Sequence, residues 1–169
     1  PPQIEVWVKD RLEGRIRMRE ILSAARDWLP KLKAAGADVI LALVHSGIGS
    51  VEADDGTENA ATALAALPEV DAVIAGHSHQ IFPGPGFSGL PGVDPVRGCL
   101  AGKPAVMPGH SGSHIGIIDL QLARTSSDSR KWRIIDREVR LNARSTEVAP
   151  VVPQFQRAIV SDHRATLAW

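Results

Sequence analysis

Residues 72–84 read AVIAGHSHQIFPG: five small or apolar residues, and then His77 and His79 with a single serine between them. An apolar run that ends in a glycine and two imidazoles is the pattern of a buried strand whose carboxyl end opens onto a polar rim. Upstream, residues 37–45 read ADVILALVH, a second apolar, β-branched run that also ends in a histidine, His45. Between them lie the polar loop SGIGSVEADDGT and an apolar stretch from Glu58 to Leu67 that predicts a short helix. Asp55 and Glu58 have the spacing of a capping box at its start.

Working outward, QIEVWV at residues 3–8 alternates Ile4, Val6 and Val8, which predicts a half-buried strand. From Ile16 to Ala35, the residues Met18, Ile21, Leu22, Ala25, Trp28, Leu29 and Leu32 follow helical spacing. Pro30 is expected to kink or restart that helix, and Gly36 to end it. The strand–helix alternation predicts an α/β layered fold with a parallel core, in which residues 37–45 form a strand covered on both faces. After residue 83 a glycine- and proline-rich loop follows, here expected to form a rim or lid. Then come KPAVMPG, HIGIIDLQL and KWRIIDREVRL, expected as antiparallel strands added to the sheet. Residues 147–168 predict a terminal helix.

Composition narrows the function classes. The 169 residues carry 19 basic and 19 acidic side chains, so a general nucleic-acid polymer binder is not expected. Arg130, Lys131, Arg133, Arg137, Arg140 and Arg144 are interleaved with Asp128, Asp136 and Glu138, which reads as a solvated strand face. Cys99 is the single cysteine, which excludes an internal disulfide and a cysteine zinc site. No apolar run is long enough for a membrane span, and no leader pattern opens the chain. Trp7, Trp28 and Trp132 fall on apolar faces and are expected in the core.

Ligands of α/β sheets bind beyond the carboxyl ends of the strands. That rule puts His45, His77 and His79 on one rim, where residues two apart in an extended segment point the same way. Gly47 and Gly76 are expected to leave room for close backbone approach. Neutral imidazoles suit zinc, manganese, iron, cobalt or nickel. His110 and His114 flank the turn HSGSH and could line the same rim, although no ligand spacing requires them; His163 lies in the terminal helix.

Three segments, ADVILALVHSGIG, ENAATALAALPEVDAVIAGHSHQIFPG and GKPAVMPGHSGSHIGIIDLQL, resemble the calcineurin-like metallophosphoesterases. Within them, the chain is most similar to the branch of 2′,3′-cyclic-nucleotide 2′-phosphodiesterase/3′-nucleotidases and 5′-nucleotidases. The resemblance implies an α/β/β/α sandwich and a site for two divalent ions, with His45 and His77 on the second ion and His79 on the first. It also implies in-line attack of water on a nucleotide phosphoester, and a periplasmic or cell-surface location. The family's D-x-H, G-D and G-N-H-E/D motifs are absent from this sequence, and with them the bridging carboxylate and the catalytic histidine. Residues 1–146 are therefore expected to be the C-terminal part of a catalytic domain, and residues 147–169 a connector toward a nucleotidase domain. Asp54, Asp55 and Glu58 could contribute to a substitute site, but loop solvation and helix capping are their expected jobs. The competing readings are a non-catalytic metal- or partner-binding fragment and an amidohydrolase- or lactamase-like metal enzyme.

Overall fold

The computed structural model describes residues 4–12, 14–54, 56–125, 131–144 and 152–169. The core is a sheet whose centre is parallel. Strand β1 (Leu41–Leu43) pairs in parallel with β2 (Ala72–Ile74), which pairs in parallel with β6 (Lys103–Pro108). Three short strands extend it: β3 (Ile81–Phe82), β4 (Val93–Asp94) and β5 (Cys99–Leu100), giving the order β1-β2-β6-β5-β4 with β3 antiparallel to β6. KPAVMPG is thus a central strand, parallel to β2 on one side and antiparallel on the other to β5, which reaches it through the two-residue turn Ala101–Gly102; the antiparallel expectation holds on that side only. That loop contains a 3-10 turn, Pro85–Phe87, whose Phe87 is buried against Phe82 with ring centroids 5.4 Å apart. At Phe87 the loop is a packed part of the core.

Helices α3 (Ile21–Ala34) and α4 (Ala61–Ala65) cover one face of the sheet. Leu22 and Leu29 from α3 and Leu64 from α4 join Val73, Ala105 and Met107 in one buried cluster. Val106, between the last two, faces the other way, where an added Cβ at Gly116 would lie 3.0 Å from it. On that side lies a separate two-stranded hairpin, β7 (His114–Arg124) and β8 (Trp132–Ala143). The long antiparallel strands therefore stack on the sheet as a second layer instead of extending its edge. Arg140 of β8 pairs with Asp119 and, at 3.7 Å, with Glu138, consistent with a solvated basic face.

Helix α3 runs through Pro30, which lies exposed in its interior, so neither the expected restart nor an end occurs there. Its stop is as expected. Gly36 has φ +93°, its N–H donates to Lys33 O, and Ala37 N–H donates to Leu32 O, a Schellman closure. The first segment differs from expectation: QIEVWV is helical, with α1 (Ile4–Trp7) followed by α2 (Lys9–Leu12). A strand needs a neighbour to satisfy its backbone, whereas Val8 N–H and Leu12 N–H here find Ile4 O and Val8 O within the segment.

The tryptophans also depart from expectation. Trp7, Trp28 and Trp132 are 62%, 56% and 41% exposed, and the latter two carry the cations of Lys31 and Arg124 over their rings. Strand β1 is not covered on both faces. It ends the sheet order, and Leu41 and Leu43 on its open side are exposed. Helix α5 (Pro153–Leu167) realises the C-terminal helix with every residue exposed, Phe155, Ile159 and Leu167 among them. Asp55 and residues 145–151 lie outside the described residues, so the capping box and the start of the connector do too. Among the described residues, no helix is long and apolar enough to cross a membrane.

One buried polar contact ties helix layer to sheet. Asp71 Oδ2 accepts the Ile40 N–H at 2.9 Å just ahead of β1 and lies 4.0 Å from Lys33 Nζ of α3. Asp71→Ala is expected to cost about 2–3 kcal/mol, because it strands a buried backbone donor. Asp71→Asn keeps an acceptor and is expected to cost less than half as much, as read by urea unfolding.

Candidate metal centre

His45 follows β1 and His77 follows β2, so the parallel pairing of these strands brings the two rings to one rim. Their centroids are 5.2 Å apart in an edge-on arrangement. The strand ends are joined by the Gly76 N–H donating to Ser46 O at 3.1 Å. Ser46 is fully buried and braces the next segment: its Oγ donates to Glu58 O at 2.5 Å and accepts the Ala60 N–H at 2.9 Å. That brace fixes Glu58, whose Oε1 lies 2.6 Å from His77 Nε2. Glu58 is thus the residue whose place at the site the sequence reading weighed below helix capping. Its capping-box spacing pointed to the helix, whereas its carboxylate turns to the imidazole.

The glycines divide. A Cβ at Gly47 would lie 2.2 Å from Asn59 Oδ1 and 3.0 Å from Ser78 Oγ, so close approach requires glycine there. Nothing lies within 4 Å of a Cβ at Gly76, so the expected crowding at that position is absent. Asn59 Oδ1 is itself buried and without a hydrogen-bond partner among the described residues.

The His77–His79 segment is not an extended strand. His77 and His79 have φ of +68° and +59°, a left-handed conformation that non-glycine residues rarely adopt and that is concentrated at functional sites. The turn directs the two rings to different neighbours. His77 meets His45 and, at 6.1 Å between centroids, the exposed Trp7; His79 meets His110 at 5.1 Å. His114 Nδ1 lies 3.0 Å from Ser113 Oγ, whereas His163 sits on the exposed α5.

Chemically, the donors fit a borderline divalent ion: neutral imidazoles, one of them held by a carboxylate through its other ring nitrogen. With Nε2 engaged by Glu58, His77 has Nδ1 left for a ligand. The count falls short, however. Among the described residues no group of three or more His, Cys, Asp or Glu side chains is placed to hold a metal ion. This chain offers two imidazole pairs rather than a closed cage.

A rim of strand-end histidines over a parallel sheet agrees with the sequence resemblance. Residues 3–81 match the model of the calcineurin-like phosphoesterases. Over those residues the chain is similar to that family. It is 40% identical over 134 residues to a 2′,3′-cyclic-nucleotide 2′-phosphodiesterase/3′-nucleotidase of Salmonella typhimurium, which covers 79% of this chain and 20% of that protein. The protein of the same name from Haemophilus influenzae is 42% identical over 132 residues, covering 78% of this chain and 20% of that protein. The crystal structure of calcineurin-like phosphoesterase YfkN from Bacillus subtilis superposes with a TM-score of 0.88 at 35% identity, covering 99% of this chain and 50% of that one. The chain therefore spans about a fifth of the length of these two nucleotidases.

Proposed function

We propose that this chain is the C-terminal part of the catalytic domain of a divalent-metal-dependent phosphoesterase. In the longer protein it acts on 2′,3′-cyclic nucleotides and 3′-nucleotides. Residues 1–146 belong to that domain, and residues 147–169 lead toward a nucleotidase domain. His45, His77 and His79 are the metal ligands this part contributes. The rest of the cage, with its carboxylates and the group that protonates the leaving oxygen, comes from sequence outside this chain. An exported location, at the cell surface or in the periplasm, goes with this reading.

The observation that carries it is the His45–His77 pair at the carboxyl ends of two adjacent parallel strands, with Glu58 bracing His77. Imidazoles alone offer no negative charge to offset two divalent ions, so the isolated chain is expected to bind at most one ion weakly. It should not turn over bis-p-nitrophenyl phosphate or 3′-AMP. Calorimetry with Mn²⁺ or Zn²⁺ and phosphate-release assays check this. The same assays on the longer protein are expected to show metal-dependent hydrolysis that a chelator abolishes. Tight binding of two ions by the isolated chain, or hydrolysis by the longer protein that survives chelation, rejects the proposal.

A further inference from the structure

We propose that His110 is an additional metal-binding residue, forming with His79 a two-imidazole half-site for a divalent transition ion. The geometry points to it in three ways. The ring centroids of His79 and His110 are 5.1 Å apart, close to the 5.2 Å of His45 and His77. Two imidazoles on one tetrahedral ion, with metal–nitrogen distances of about 2.0–2.1 Å, place their centroids roughly 5 Å apart.

The second indication is the tether between the two segments. Gly109 N–H donates to Gln80 O at 3.1 Å, and Ile81 of β3 pairs with Pro108 of β6. The residue after His79 is therefore bonded to the residue before His110, and the two rings are held as neighbours by backbone rather than by chance of rotamer. The loop is tightly wound as well. Gly109, Ser111 and Gly112 all have left-handed φ, and a Cβ at Gly109 would lie 2.6 Å from Ser113 Oγ.

The third indication is ring orientation. His110 Nδ1 lies 3.1 Å from Ser111 Oγ, which leaves Nε2 as the nitrogen able to meet an ion. A ligating histidine commonly has its second nitrogen engaged in this way. Both rings are exposed, so an ion can reach them directly. Two neutral imidazoles leave coordination positions open for water or an anionic oxygen. The half-site therefore suits Zn²⁺, Co²⁺ or Ni²⁺ rather than Ca²⁺ or Mg²⁺.

This inference rests on the reading of His79 as a metal ligand and extends it to a residue outside the three strand-end histidines. The test titrates the chain with Co²⁺ and reads the histidine ring resonances by NMR, in wild type and in His110→Phe, which keeps an aromatic ring beside His79 without a nitrogen donor. The His79 and His110 resonances are expected to respond together with one apparent affinity. In H110F the Co²⁺ affinity sensed at His79 should fall on the order of tenfold or more, while the metal-free resonances of His45 and His77 keep their wild-type positions. The inference is overturned by equal affinity at His79 in H110F, by a response of His79 without His110, or by no response of either ring at millimolar Co²⁺. Because the readout is a ring resonance, absence of turnover in the longer protein would count against the phosphoesterase proposal and leave this one standing. Unaltered Co²⁺ binding in H110F would do the reverse.

Discussion

His77→Ala in the longer protein is expected to lower bis-p-nitrophenyl phosphate hydrolysis at least about 100-fold, the upper end of what loss of even an outer-shell partner costs a metal site. The reason is position. His77 stands between His45 and Glu58, with its side chain only 12% exposed, and no other described imidazole is paired with a carboxylate. Glu58→Gln is expected to lower activity less, because an amide still bonds the ring and holds its orientation but carries no negative charge.

Stability should move the other way. The +68° φ at His77 strains any residue with a Cβ, so His77→Gly is expected to be more stable than His77→Ala by roughly 1 kcal/mol while being equally inactive. Activity within tenfold of wild type in His77→Ala would remove His77 from the proposed metal ligands. Equal unfolding midpoints for the alanine and glycine variants would show that the backbone relaxes once the ring is gone.

Phe82→Ala is the second large effect expected, a loss of about 3–5 kcal/mol. Phe82 is fully buried, meets Phe87 edge-on and opposes Met107 across the β3–β6 pairing. It therefore joins the return loop, the short strand after His79 and the central strand in one contact. Truncation leaves a cavity that the loop, pinned by the β4–β5 strands, cannot collapse into fully. For a chain of this size, the loss corresponds to a fall of roughly 6–20 °C in the thermal midpoint. Phe82→Leu should recover most of it. A fall of less than 3 °C in Phe82→Ala, measured by calorimetry, would mean that the loop is not a packed part of the core.

Much of the architecture was legible because it is written in local patterns. The apolar runs at 37–45 and 72–76 contain β1 and β2, the helical spacing contains α3, and Gly36 ends that helix with a left-handed turn. What was misread depended on partners that are distant in sequence. The alternation in QIEVWV suits a strand, but the segment closes its hydrogen bonds as helix. The apolar spacing of Trp28 and Leu32 suits a core, yet both lie exposed. KPAVMPG carries no mark that distinguishes a central parallel strand from an added antiparallel one; only its pairing with β2 does.

The candidate site divides along the same line. By itself the sequence determined that His45, His77 and His79 stand at the carboxyl ends of strands, because strand ends follow from where an apolar run stops. Only the tertiary structure decided the company each ring keeps: His45 and Glu58 for His77, His110 for His79. Those pairings come from two left-handed residues, the Ser46 brace and the Gly109–Gln80 bond. The direction of a side chain at a turn is set by backbone angles that distant contacts impose, and no local pattern of residue types encodes them.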